Sequence, residues 1–108
     1  MKTVSLKVTK LVNPDGSPGV LDYKVYLQTI MRQPKDQRLG IDISEMERSL
    51  RVLNVLAGAN GTLTLEDADF GFMVEKVKAS HFQFVDQAVM DFVNDVCTPL
   101  ETAKVNAA

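Results

Sequence analysis

Six apolar residues on a single helical face constrain this chain more than any other stretch. Val85, Ala88, Val89, Phe92, Val93 and Val96 fall at i, i+3, i+4, i+7, i+8 and i+11. That is the period of an α-helix with one buried side, and it predicts a helix over residues 84–96. A face of that length has to be covered, so the rest of the chain must supply a surface for it. Two segments upstream carry weaker versions of the same period. Residues 42–96 therefore read as three amphipathic helices in succession.

The first of these opens on Asp42-Ile43-Ser44-Glu45-Met46-Glu47. Ser44 with Glu47 three residues later is a capping box, whose loss costs about 1 kcal/mol. Glu45 and Glu47 add negative charge where the helix dipole favours it. Met46, Leu50, Leu53 and Ala57 form the expected core seam, widened by Val52, Val55 and Leu56, with Glu47 and Arg51 paired at i, i+4 outside. Gly58 to Gly61 ends the helix. Thr64, followed by Glu66 and Asp67, is the next N-cap signal. Phe70, Met73, Val74 and Val77 make the buried stripe of the second helix, and Phe72 lies off it. Gly71 costs about 1 kcal/mol inside a helix and reads as a point of close approach by a neighbour. Thr98-Pro99 stops the third helix.

The front of the chain has a different period. Thr3 to Val12 alternates, with Val4, Leu6, Val8 and Val12 on one side, and Lys10 on that apolar side as a residue that snorkels at a sheet edge. Asn13-Pro14-Asp15-Gly16-Ser17-Pro18-Gly19 is dense turn chemistry. Alternation resumes from Val20 to Met31, through Leu21, Tyr23, Val25, Leu27 and Met31. Two alternating runs across such a turn predict a β-hairpin. A lone hairpin is marginal in water, so it needs the helices against its apolar side. The expected class is α+β: one domain over residues 1–108, with a hairpin at 3–31, a linker at 32–41, three helices at 42–96 packed on the hairpin, and a tail at 99–108.

At 108 residues and 45% hydrophobic content the chain can build one core and not two. Its net charge of −2 hides an uneven distribution. Residues 1–40 hold seven cations against three acids, while residues 41–108 hold five against eleven. Either the halves stay apart and make a dipolar molecule that meets copies of itself or a charged partner, or they fold together and neutralise. Cys97, the only cysteine, cannot form an internal disulfide, which fits a reducing cytoplasm. Lys7 interrupts any apolar leader, and no run approaches the ~18 apolar residues of a membrane span.

Motifs that carry chemistry are sparse. Asn60-Gly61-Thr62-Leu63-Thr64-Leu65-Glu66-Asp67 resembles the second half of an EF-hand loop. With Gly61 at the sixth position, however, Leu56 and Gly58 fall where Asp or Asn ligands belong, so it reads as a plain turn between helices. Glu66, Asp67 and Asp69 cluster at a helix start, and the helix dipole explains Glu66 and Asp67 without a ligand. His81, the only histidine, has no neighbouring nucleophile and reads as a packing or capping residue. No metal, cofactor or catalytic constellation is expected. Asp86, Asp91 and Asp95 line the outer face of the third helix; like charges at i, i+4 and an acid at the wrong end of the dipole fit either a plain solvated face, the reading to prefer, or a cationic surface across from them. Lys35 and Arg38, with Arg32, make the linker a basic contact loop or a solvated one. Tyr26 lies on the polar side of the second strand between Lys24 and Gln28.

In length, in an acidic C-terminal end, and in a short β element followed by capped helices, the chain resembles small accessory proteins of tailed bacteriophages. The segments that carry the resemblance are Asp42-Ile43-Ser44-Glu45-Met46-Glu47-Arg48 and Leu63-Thr64-Leu65-Glu66-Asp67-Ala68-Asp69-Phe70. It implies virion assembly or interference with a host protein, in the host cytoplasm or in the virion, and transfers no functional residue.

The expected function is a non-enzymatic protein–protein interaction module that self-associates or joins a larger assembly. The alternative is nucleic-acid binding, or inhibition of a host protein, through the basic hairpin and linker. Candidate contact residues are Lys7, Lys10, Lys24, Tyr26, Arg32, Lys35, Arg38, Phe72, Asp86, Asp91 and Asp95.

Overall fold

The computed structural model describes residues 1–82 and 85–100. Among these it forms four helices and two two-stranded antiparallel sheets, an α+β arrangement with one helix more than the periodicity suggests.

The run expected to be one strand is two. β1 (Lys2–Ser5) and β2 (Val8–Val12) belong to different sheets. β2 pairs with β3 (Pro18–Asp22) in the hairpin, with Thr9 opposite Leu21 and Leu11 opposite Gly19. β1 instead pairs with β4 (Thr62–Leu65), with Val4 opposite Leu63. Thr3 and Thr64, also opposite one another, bring their hydroxyls to 2.8 Å. The alternation changes phase at Leu6 and Lys7: Val4 and Leu11 are buried, while Val8 and Val12 face outward. Lys10 lies on that same exposed face, opposite Val20 and between Val8 and Val12. At the hairpin turn Gly16 takes φ +88°, which favours glycine. Asp15 accepts from the Ser17 amide and hydroxyl at 2.9 and 2.6 Å. A Cβ on Gly19 would stand 2.8 Å from Leu11 Cδ1 and 2.9 Å from Asn13 Oδ1, so those two side chains would have to shift to admit one.

The second expected strand ends at Asp22. From there the chain is helical, as α1 (Tyr23–Met31). Tyr23, Leu27 and Met31 satisfy a period of two, but with Ile30 they also satisfy i, i+4, i+7, i+8, and all four are buried. Val25, which a strand would bury with them, is 52% exposed. Asp22 decides the start, because its carboxylate accepts the Lys24 amide at 3.0 Å as an N-cap.

α2 (Ile43–Ala57) is capped by Asp42, which accepts the Glu45 amide at 2.8 Å, so Ser44 lies inside the first turn and is not the cap. Thr64 is a strand residue, and α3 (Asp67–Ala79) starts after Glu66 with no side-chain cap. The turn between α2 and β4 uses Gly61 at φ +78°, and its carbonyl accepts the Leu6 amide. α4 (Gln87–Cys97) is capped by Asp86, and Val85 is fully exposed ahead of it; Phe84, the expected first residue of this helix, lies outside the described residues. The tail beyond Leu100 also lies outside them, and the Leu100 amide donates to the Thr3 carbonyl at 2.7 Å on the outer edge of β1.

The core joins both sheets to the helices through Val4, Leu21, Leu27, Leu56, Leu63 and Met73. At its centre Tyr23 meets Phe92 edge-on, with ring centroids 5.1 Å apart, and Tyr26 meets the same ring at 5.5 Å. Gly71 is exposed, and a Cβ added there meets nothing within 4 Å, so the close approach expected at this glycine is absent.

Candidate interaction surface

α2 is apolar on two sides: of the expected seam the widening residues Val52 and Leu56 face the core, while most of its central row is left open. The face turned to the core is Ser49, Val52 and Leu56, joined by Glu45. The central row lies roughly a quarter turn away, since each residue advances about 100°. On it Ile43 is 74%, Met46 46% and Leu50 49% exposed, Ala57 is exposed, and only Leu53 is partly drawn into the core. A cavity of about 180 Å³ runs beside this stripe, between Met46, Leu50 and Leu53 and the chain at Met31, Arg32 and Ile41.

The rotation of α2 has a chemical cause in α3. Lys76 falls in the buried stripe with Met73 and Val77, and its side chain is 1% exposed. Its ammonium donates to the Met31 carbonyl at 3.1 Å and to Ser49 Oγ at 2.9 Å, and lies 3.2 Å from Glu45 Oε2. Glu45 Oε2 also accepts the Lys35 amide at 3.0 Å. Phe72 is buried beside this cluster, with the cationic groups of Lys35, Arg48 and Lys76 between 5.5 and 5.7 Å from its ring. An ammonium in the interior needs such partners, so α2 turns its polar residues toward it and its apolar stripe toward solvent.

A cleft of about 640 Å³ opens above the same cluster, between the 33–40 loop and the C-terminal ends of α1 and α3. Lys35, Arg38, Lys76 and His81 line it, but each of the three cations has an acid: Lys35 with Glu75 at 3.2 Å, Arg38 with Asp36 at 3.4 Å, and Lys76 with Glu45. Of the expected alternatives for the linker, Lys35 and Arg38 therefore form the wall of a cleft, internally neutralised. His81 is exposed at its rim, where it also meets a smaller apolar pocket containing Tyr26 and Phe82.

The remaining candidate residues are spread over the molecule. Lys7 pairs with Asp95 at 3.2 Å, and Asp95 also accepts the Tyr23 hydroxyl at 2.7 Å. Those two contacts hold the Asp95 carboxyl below the usual range, with the Tyr23 bond the larger cause and burial opposing. Burial first, and Asp95 second, push the Tyr23 phenol far up. Asp86 caps α4 and also accepts the Val12 amide at 3.1 Å, closing part of the outer edge of β2. Of the three acids assigned to an outer face only Asp91 is exposed, where it accepts from Gln87. The cationic surface, the second of the readings for this face, is in part the chain's own Lys7. Lys24 donates to the carbonyls of Ala57 and Ala59 at 3.2 and 3.0 Å, satisfying the C-terminal end of α2. Lys10 and Arg32 are exposed with no acid against them among the described residues. The Met1 ammonium pairs with Asp67 at 3.1 Å, so contacts of front-half cations with back-half acids recur. Cys97 is half-buried, and burial pushes its thiol up, away from nucleophilic thiolate.

The sequence reading missed two features. Lys76 was legible as a cation at i+3 within the Met73–Val77 stripe. Ile43 was legible as a residue three before Met46 that lengthens that seam by one turn. Among the described residues no group of three or more potential metal ligands converges, and no helix is long and apolar enough to cross a membrane. No family model, no curated protein and no solved structure matches this chain.

Proposed function

We propose that this protein is a non-enzymatic interaction module that docks through the outer stripe of α2. It works in the cytoplasm or within an assembled particle, as small phage accessory proteins do. One observation carries the reading: Ile43, Met46 and Leu50 stand in water on a regular helical stripe, beside a cavity bounded by Met31 and Ile41. Scattered surface apolar residues need no explanation, but a contiguous row with an adjoining hollow is the form of a contact surface. Polar partners occupy the core side of the same helix, so the stripe cannot turn inward without stranding Lys76. The nucleic-acid alternative draws less support, because a phosphate backbone is held by uncompensated cations, and of its six proposed contacts only Lys10 and Arg32 lack a partner among the described residues.

A photo-reactive residue at position 50 tests the reading. It is expected to capture a protein chain, while the same residue at Val20 on the outer face of the hairpin captures none. Equal capture at both positions, or none at position 50, overturns it.

A further inference from the structure

We propose that the occupant of this stripe is a second copy of the chain, with the two α2 helices packed antiparallel across a two-fold axis. The inference rests on the reading of the outer face of α2 as a docking surface, and three features of that face select the partner.

Spacing is the first. Ile43, Met46, Leu50, Leu53 and Ala57 are separated by three, four, three and four residues, the a/d repeat with which one helix packs knobs into the holes of another. Neither a flat sheet nor an extended peptide matches that repeat. A helix partner does, at the shallow crossing angle of about 20° typical of such packing.

Self-complementarity is the second. With the axis passing beside Arg48, Ile43 of one copy lies opposite Leu53 of the second copy, and Met46 lies opposite Leu50 of the second copy. Symmetry repeats both pairs, so every apolar residue of the seam before Ala57 meets another. The hollow beside Met46 and Leu50, about 180 Å³, accommodates the ends of those side chains from the facing helix.

Charge is the third. One flank of the stripe carries Glu47 and Arg51, both exposed. In the antiparallel register the α2 residues of this flank are two acids and two bases, with Asp69 of each copy lying against its own Arg51. Arg51 of the second copy then stands two residues, or roughly 3 Å along the axis, from Glu47. The opposite signs of Glu47 and Arg51 on α2 suit a copy of the chain running the other way, in which they fall in the reverse order. Arg51 already lies 3.3 Å from Asp69 within its own chain, and at 54% exposure its side chain is open to a second acid.

Sedimentation equilibrium of the purified chain is the test. An interface built on one helix of 15 residues is small, so the expected dissociation constant is on the order of 10–100 µM. Leu50→Lys places a charge opposite Met46 of the second copy and is expected to weaken association at least about thirtyfold. Glu47→Arg and Arg51→Glu each make the α2 residues of the flank single-signed, and each is expected to weaken self-association about tenfold. Mixed in equal amounts, these two variants restore alternating signs and are expected to associate with each other at least as well as the native chain does with itself. That restoration is a signature no loss of folding reproduces, and circular dichroism of each variant checks the fold directly.

A chain that stays monomeric at about 1 mM overturns the inference, as does a mixture of the charge variants that associates no better than either alone. If a photo-reactive residue at position 50 then still captures a different protein, the docking surface stands and the second copy is excluded as its occupant. If it captures nothing, both fall.

Discussion

Replacing Glu45 by Leu should be the most damaging single change in the molecule outside the large apolar core. The carboxylate lies 3.2 Å from the Lys76 ammonium, whose side chain is 1% exposed, while the Glu45 side chain itself is 10% exposed. Removing one member of a buried ion pair leaves a desolvated charge, at a cost of about 3–5 kcal/mol. Lys76 keeps the Met31 carbonyl and Ser49 hydroxyl as acceptors and borders a cleft, which places the cost at the low end, about 3 kcal/mol. The Lys35 amide loses its acceptor as well. Lys76→Met removes the charge instead; Glu45, nearer the surface, can hydrate, and the cost is about 1–2 kcal/mol. In the double variant Glu45→Leu with Lys76→Met no buried charge is left, and stability should return to within about 1 kcal/mol of native, because apolar replacements of buried pairs are often neutral. The coupling energy of the cycle is then at least about 3 kcal/mol. Urea unfolding followed by circular dichroism reads all four stabilities, and the single Glu45 variant should melt lower by on the order of 15 °C. Additive effects, or a Glu45→Leu loss below about 1 kcal/mol, would show that the pair is solvated and that it does not fix the rotation of α2.

Three other changes read separate parts of the fold. Gly71→Ala should raise stability by about 0.5–1 kcal/mol, since the added methyl meets nothing within 4 Å and the helix gains propensity; a lower melting temperature would reveal an unseen neighbour. Asp42→Ala should cost about 1 kcal/mol and Ser44→Ala only a few tenths, because Asp42 holds the Glu45 amide; equal losses by thermal denaturation would restore Ser44 as the cap. Tyr23→Phe should cost about 1–2 kcal/mol at neutral pH by removing the 2.7 Å bond to Asp95. It should also change both ends of the stability profile. Asp95 is depressed in the fold, so its contribution is present above the ordinary carboxyl value of about 4 and disappears as pH falls through its folded value. The Tyr23 phenol is raised, so its contribution is complete below about 10 and is lost as pH rises beyond that. The Phe variant should therefore lose its alkaline decline and part of its acid decline, measured by unfolding midpoints across pH; an unchanged profile refutes the assignment.

The class of the fold and the existence of every helix after residue 42 could be read from the sequence, because each carries enough apolar residues at helical spacing to leave strand pairing out of contention. The hairpin could also be read at its turn, where Asp15, Gly16 and Gly19 each have a specific job. What could not be read was decided by contacts distant in sequence. β1 leaves the expected strand to pair with residues about sixty positions away, and nothing local at Leu6-Lys7 announces the switch. α1 was hidden because Tyr23, Leu27 and Met31 fit both periods, and the deciding cap, Asp22, looks like any polar strand residue. Of the contact candidates, most charged ones are occupied in holding the chain together: Lys24 on the end of α2, Lys7 on Asp95, Asp86 on α4. A charge inventory counts such residues as free, because their partners become visible only once the chain is folded.

The phase of α2 is where sequence and structure disagree most usefully. Its apolar seam was legible and regular, yet the fold buries only its widening residues Val52 and Leu56, with Ser49, and leaves Met46, Leu50 and Ala57 of the central row exposed. A helix that leaves Ile43, Met46 and Leu50 partly in water forgoes stabilisation of the order of 1–2 kcal/mol for each. A monomer selected only for stability would be expected to turn that row inward and replace Lys76 with an apolar residue, since neither step needs a new backbone. Retaining a buried lysine at i+3 of an apolar stripe, with Glu45 and Ser49 set to receive it, fixes the helix in the orientation that presents its second stripe outward. The double variant at Glu45 and Lys76 separates these two roles. If the ion pair serves to hold α2 in phase, the variant should stay about as stable as the native chain while losing association through position 50, because an apolar pair no longer distinguishes the two faces of the helix.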